Sequence, residues 1–174
     1  MPGELVDMAS TCSPKPQKLS RIDSGPRTTS ILPGLRAKYP GAKVVWMTAE
    51  SAVDLLRHHP QVDTLVPVRL AREGDDERVD FVEGGMQGGP FVKVISLDDE
   101  LPLCGLARLF GQPDEVPGVL SGAYLNEGGE RVYTDDVAPW FDMGLLSRFG
   151  KDEADRRKLA NTESHAAIYA RMLG

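Results

Sequence analysis

The chain has 174 residues, of which 41 % are hydrophobic and 26 % charged, as expected for one globular domain with a sizeable core. Its net charge of −6 argues against broad binding to nucleic acids, which requires a basic surface. No apolar run approaches the ~20 residues of a transmembrane helix, and residues 1–20 show no secretory signal pattern.

Residues 1–26 are predicted to form an irregular or flexible arm. Four prolines lie among small polar residues in this segment, at Pro2, Pro14, Pro16 and Pro26. Because no hydrophobic period of a strand or a helix is visible there, the folded domain is predicted to comprise residues 27–174.

From Ser30 onwards, apolar residues recur with the spacing of helices and strands in turn. A helix is predicted to begin near Ser30 and to end at Pro40, and a buried strand is predicted at 43–47. Further strands are predicted at 64–68, 91–97, 119–124 and 131–134, and further helices at 52–56, 103–110, 139–149, 151–160 and 163–173. Residues 72–90 are acidic and then rich in glycine, which is typical of a loop.

Alternation of strands and helices favours right-handed crossover units and a parallel sheet. The predicted fold class is therefore α/β, with a Rossmann-like, mainly parallel sheet and helices on both of its faces. The three strands predicted to be neighbours are 43–47, 64–68 and 91–97. Four residues are predicted to lie in the core, namely Val45, Leu56, Ile95 and Leu106.

The first candidate site is the segment 22–29, with the sequence IDSGPRTT, which precedes a predicted helix. Backbone N–H groups at a helix start can hold an anion, and Arg27 can add a bidentate contact to a phosphate. Asp23 is the carboxylate in reach that can act as a general base. The alternative is an arm that ends in an ordinary helix cap.

The second candidate site is Asp98, Asp99 and Glu100, directly after a predicted strand. Carboxylates in this position can bind a metal ion or act as acid and base, but a capping role at the start of the helix that follows is favoured. A third segment, 84–89, is rich in glycine but lacks the spacing of a known phosphate-binding loop, so we interpret it as a mobile surface loop. No spacing of His and Cys predicts a metal site.

Several segments together resemble the amino-terminal half of glycosyltransferase family 9, the bacterial heptosyltransferases of lipopolysaccharide assembly. The resemblance covers roughly 27–68 and 91–174, and its most specific segments are RTTSILPGLRAKYP, VISLDDE, GAYLNEGG, YTDD and WFDMGLLSRFGK. It implies the acceptor-binding half of a two-domain GT-B enzyme, whose other half binds an ADP-activated sugar. That enzyme would transfer heptose to the lipopolysaccharide core at the cytoplasmic face of the inner membrane, with no required metal or other cofactor.

The resemblance also implies roles for single residues. Counted back from Arg27 without a gap, the family's Gly-Asp pair falls on Asp23 and Ser24, so that the position of the catalytic base holds Ser24. A neutral serine is not a competent base by itself at neutral pH, and Asp23 replaces it only if the loop shifts by one residue. Substrate binding is assigned to Arg27, Thr28 and Thr29 and, after the predicted strand 91–97, to Asp98.

The predicted function is therefore a glycosyltransferase-like domain that is inactive as this isolated half. Its expected partners are a lipid-linked or phosphorylated saccharide acceptor and a sugar-nucleotide-binding half. One alternative is a non-catalytic module of α/β fold that binds a saccharide or a protein. Another is an unrelated nucleotide-binding domain, which would need a phosphate-binding loop that the sequence does not show. The two cysteines, Cys12 and Cys104, form no disulfide framework, which fits a cytoplasmic protein, with a peripheral place at the inner membrane as an option.

Overall fold

A computed structural model of the chain describes residues 17–22, 28–73, 76–82, 91–144 and 149–171. The described strands are β1 (Gln17–Ile22), β2 (Lys43–Ala49), β3 (Thr64–Glu73), β4 (Asp76–Phe81), β5 (Phe91–Ser96), β6 (Leu120–Leu125) and β7 (Arg131–Tyr133). The α-helices are α1 (Leu32–Lys38), α2 (Val53–Leu56), α3 (Leu101–Gly111), α4 (Ala138–Phe141), α5 (Lys151–Ala160) and α6 (His165–Arg171), and 3₁₀ turns at Thr28–Ile31 and Glu50–Ala52 precede α1 and α2.

The strands form a sheet in the order β4-β3-β2-β1-β5-β6-β7. Four pairs of adjacent strands are parallel, namely β3 with β2, β2 with β1, β1 with β5, and β5 with β6. At the two edges of the sheet, β4 pairs antiparallel with β3 and β7 pairs antiparallel with β6. Helices connect several of these strands, as parallel pairing requires. The predicted α/β class is confirmed.

One prediction of strand order is wrong, because β5 does not lie beside β2. The strand β1 separates them and pairs in parallel with both, with Leu19 opposite Val45 of β2 and Val94 of β5. Residues 17–22 are therefore not part of an irregular arm, and the predicted domain start at residue 27 excludes a central strand. Backbone pairing with two neighbours defines this strand, and the sequence QKLSRI has no apolar periodicity to reveal it.

Apolar side chains are buried on both faces of the sheet. Alternate residues of a strand point to opposite faces, and in β2 Val44 and Trp46 belong to one apolar cluster, whereas Val45 and Met47 belong to another. The first cluster includes residues of α1 and α6, and the second includes Leu103 and Ala107 of α3. Of the predicted core residues, Val45, Leu56 and Ile95 are buried, as predicted, whereas Leu106 is half-buried.

A side-chain clamp connects α1 to the start of β2. The Arg36 guanidinium donates hydrogen bonds to the carbonyl oxygens of Ala42, at 2.7 Å, and Gln61, at 2.8 Å. It also donates to Oδ2 of Asp63 at 2.7 Å, and the same oxygen accepts the backbone N–H of Val44 at 2.6 Å. The clamp fixes the turn around Gly41, whose φ of 78° is in the left-handed region.

Close packing of β5 against β6 depends on a glycine. Gly122 in β6 has a φ of 139°, and a Cβ built at this position would lie 2.1 Å from the carbonyl oxygen of Ser96. No other residue type fits there without separating the two strands. The end of β5 and the segment that follows it are therefore held close to β6.

The predicted loop 72–90 is wrong for its first part. The strand β3 extends to Glu73, and β4 forms an antiparallel hairpin with it. The sequence of β4 is charged and does not indicate a strand, because an edge strand pairs with one neighbour and can expose charged side chains. Residues 83–90, which include the glycine-rich segment 84–89, lie outside the described residues.

The helical tail is predicted correctly over most of its length, with α5 at 151–160 and α6 at 165–171. The predicted helix 139–149 is shorter, because α4 ends at Phe141. Within the described part of the chain, no helix has the length and apolar character to cross a lipid bilayer.

Candidate functional site

The order of the parallel strands reverses between β1 and β5. From β1 the chain moves outwards to β2 and β3, and it then returns to the other side of β1 with β5 and β6. In open α/β sheets, ligands bind beyond the carboxyl ends of the strands at such a reversal. Both candidate segments lie at the ends of these two strands, since 22–29 begins at the last residue of β1 and 98–100 comes after β5.

Of the first segment, the structure describes Ile22, which ends β1, and Thr28 and Thr29. Thr28 is 2 % exposed and Thr29 is half-buried, and both belong to the 3₁₀ turn that leads into α1. The burial of Thr28 indicates that its side chain helps to hold this turn. Asp23, Ser24 and Arg27 lie outside the described residues, so their proposed roles remain predictions.

Of the second segment, Asp98 is 3 % exposed and shapes the turn between β5 and α3. Its Oδ1 accepts the backbone N–H of Glu100 at 3.3 Å. Its carbonyl oxygen accepts hydrogen bonds from Ser96 Oγ at 3.3 Å and from Cys104 Sγ at 3.9 Å. The Asp98 side chain therefore orders the backbone before α3, which is close to the capping alternative, although the N-cap residue itself is Glu100.

The metal alternative for the second segment has no support in the structure. Among the described residues, no group of three or more His, Cys, Asp and Glu side chains has an arrangement that would hold a metal ion. Residues Asp99 and Glu100 are half-buried at the start of α3, where carboxylates interact favourably with the helix dipole.

Sequence reasoning missed Arg131 as a residue of this region. Its Nη1 donates a hydrogen bond to the carbonyl oxygen of Asp99 at 2.8 Å. Antiparallel pairing of β7 with β6 sets Arg131 opposite Leu125, at the carboxyl end of β6. The strands predicted at 119–124 and 131–134 contain a signal for this, because a short connection between antiparallel strands brings the start of the second strand beside the end of the first.

Cys104 is fully buried beneath the second segment and has no nucleophilic character. Burial raises the pKa of its thiol to about 12, and the carboxylates of Asp99, Asp98 and Glu100 act in the same direction. Arg131 opposes this rise, and burial likewise raises the pKa of Tyr133. Only the thiolate is reactive, so Cys104 is a small structural residue, as the sequence indicated.

A second polar cluster lies around the start of β6, where Ser121 pairs with Ile95 near the carboxyl end of β5. The carboxylate of Asp136 accepts hydrogen bonds from the hydroxyls of Ser121 and Thr134. Lys93 is buried nearby and donates to the carbonyl oxygen of Gly118 at 3.1 Å. Burial lowers the pKa of Lys93, and Asp136 opposes the change. Because Ser121 is fully buried and its partners are satisfied, we assign this cluster a structural role.

A surface cleft of about 340 Å³ lies beside α2, near the carboxyl end of β2 and the first half of β3. Its lining residues are Glu50, Val53, Asp54, Arg57, Leu65, Pro67 and Val82. The charged groups there are engaged in ion pairs, Arg57 with Asp54 and Glu50 with Arg69. These charged groups are thus paired with each other or with Arg69, and no described residue of the two candidate segments lines the cleft.

Comparison of the chain with protein-family models, with curated proteins and with solved structures finds no match.

Proposed function

We propose that the chain is the acceptor-binding domain of a glycosyltransferase-like protein, with a Rossmann-like sheet similar to one half of a GT-B enzyme. Its ligand would be a phosphorylated, lipid-linked saccharide of the lipopolysaccharide core, bound at the cytoplasmic face of the inner membrane. The observation that carries this proposal is the position of both candidate segments after β1 and β5, the two strands at which the strand order reverses.

The segments that resemble the heptosyltransferases are consistent with this position. RTTSILPGLRAKYP spans the 3₁₀ turn and α1 after β1, and VISLDDE spans the end of β5 and the residues that follow it. Both segments thus follow the two strands at which the order reverses, although 53 residues separate them in the chain. Arg27 would contact a phosphate, and the carboxylates at 98–100 would accept hydrogen bonds from sugar hydroxyls.

We expect the 174-residue chain to bind the acceptor without transferring sugar. The resemblance assigns the ADP-heptose site to the other half of the enzyme, and the base position holds the neutral Ser24. Removal of one charged hydrogen bond in Arg27→Ala should weaken binding about ten-fold. The measurement is a calorimetric titration with a delipidated, phosphorylated core oligosaccharide, followed by a transfer assay with ADP-heptose.

The matched control is Arg57→Ala, which removes an exposed arginine beside the separate cleft at α2. The affinity of the Arg57→Ala variant for the core oligosaccharide should equal that of the parent chain. Equal losses in both variants would mean that net charge alone attracts the saccharide, and absence of binding in the parent chain would refute the proposed function.

The residue Ser24 favours a second candidate, a non-catalytic module that binds the saccharide or a protein. The two candidates differ when a sugar-nucleotide-binding half of a heptosyltransferase is supplied together with ADP-heptose. Product formation would support the acceptor domain of a transferase, whereas saccharide binding without product would support the module.

A further inference from the structure

The backbone of the segment 98–100 is held from two directions. From within its own β5–α3 unit, Ser96 and Cys104 donate to the carbonyl oxygen of Asp98. From β7, Arg131 donates to the carbonyl oxygen of Asp99, across 32 positions of the chain. The second contact connects the segment to the β6–β7 hairpin and thereby limits how far it can move away from the sheet.

The position of Arg131 is itself well defined. Arg131 is half-buried, and β7 pairs with β6 next to it, with Tyr124 opposite Val132 and Ala123 opposite Tyr133. The ring of Tyr133 stacks on Phe141 with a centroid distance of 4.5 Å. The fixed backbone of Arg131 therefore presents its guanidinium to Asp99 from a defined position, although the long side chain must still be ordered to form the hydrogen bond.

The charges in this region also favour one kind of ligand group. The carboxylates of Asp98, Asp99 and Glu100 belong to consecutive residues, and the guanidinium of Arg131 reaches the same segment through its hydrogen bond to the carbonyl oxygen of Asp99. Three carboxylates repel a phosphate, whereas they accept hydrogen bonds from neutral hydroxyls. Arg131 offsets part of their mutual repulsion and leaves the segment suited to a polyhydroxylated sugar.

We propose that Arg131 is a positioning residue, which holds the segment 98–100 in the conformation that binds the hydroxyl groups of the acceptor saccharide. This inference rests on the proposed function and assigns the sugar moiety, rather than the phosphate, to the carboxyl end of β5. The sequence reasoning assigned substrate contacts in this segment to Asp98 alone, and the role of Arg131 follows from its contact with Asp99.

The test compares Arg131→Met, which removes the donors, with Arg131→Lys, which retains a positive donor. The matched control is Arg108→Met, because Arg108 is also a half-buried arginine that donates to a backbone carbonyl, that of Leu125, at 3.0 Å. Two quantities are measured for each variant: hydrogen exchange of the amides in 98–100, and affinity for the delipidated, phosphorylated core oligosaccharide.

We expect Arg131→Met to accelerate exchange in 98–100 and to weaken saccharide binding about ten-fold relative to Arg108→Met, with partial recovery in Arg131→Lys. If the parent chain binds the saccharide, two results for Arg131→Met would overturn the positioning role. One is unchanged hydrogen exchange in 98–100, and the other is faster exchange with unchanged affinity for the saccharide. If the parent chain does not bind the saccharide, the proposed function fails and this inference fails with it. A loss of affinity in Arg108→Met of the same size would show general loosening of the fold and would also overturn it.

Discussion

At the scale of single residues, Cys104 shows how burial decides chemistry beside the candidate site. The residue belongs to the first turn of α3 and is fully buried, and its Sγ lies 3.9 Å from the carbonyl oxygen of Asp98. A cysteine after a strand and near a helix start is a frequent position for a nucleophile. Here burial in the apolar core, together with the neighbouring carboxylates, disfavours the thiolate. The protonated thiol instead supports the turn before α3 through its contact with the carbonyl oxygen of Asp98.

This environment predicts a specific pH dependence. The folded-state pKa of Cys104, about 12, exceeds its ordinary value of 9.0. The folded state therefore binds the proton more tightly, and this contribution to stability is complete below pH 9 and is lost as pH rises through 12. We expect the difference in unfolding free energy between the parent chain and Cys104→Ala to decrease over that range. Urea titrations at several pH values measure it, and a constant difference would contradict the buried, protonated thiol.

At the scale of elements, α3 packs against the sheet through a face that the sequence assigns almost correctly. The spacing of Leu103, Leu106, Ala107 and Phe110 predicts one apolar face. In the structure Leu103 and Ala107 are buried, and Leu106 and Phe110 are half-buried at the margin of the same cluster. Periodicity identifies the face of a helix, but the exposure of its margin depends on the neighbouring elements.

Substitutions along α3 test this orientation. Leu103 is 5 % exposed. The substitution Leu103→Ala should lower the unfolding free energy by about 2–5 kcal/mol, because it leaves a cavity in the core. Leu106→Ala should cost less, and Leu109→Ala, at a residue 65 % exposed, should cost under about 0.5 kcal/mol. Urea unfolding curves give the three values. Equal losses at Leu103 and Leu109 would mean that the helix is rotated about its axis.

At the scale of the whole molecule, the sequence predicts elements with strong hydrophobic patterns and misses those defined by backbone pairing. The strands β2 and β5 and the helices α5 and α6 are found where periodicity and strand-forming residues predict them. The central β1 and the edge strand β4 are polar in sequence, and backbone pairing defines both, β1 with two strands distant in the chain and β4 with the preceding β3 in a hairpin. The same limit applies to the candidate site, where Asp98 is visible from its place after a strand but Arg131 depends on the β6–β7 register.

The central position of β1 leads to a decisive experiment on the whole fold. In a strand with a neighbour on each side, nearly every backbone N–H donates to one neighbour or the other, and proline in such a strand removes a donor and obstructs the ladder. Because Leu19 pairs with both β2 and β5, Leu19→Pro should prevent cooperative folding of the entire sheet. Leu19→Val retains the N–H and favours a strand, so it serves as the control and should fold. Circular dichroism and thermal unfolding compare the two variants. If Leu19→Pro unfolds with the same midpoint as Leu19→Val, residues 17–22 lie outside the sheet, and the reversal of strand order between β1 and β5 no longer locates the binding site.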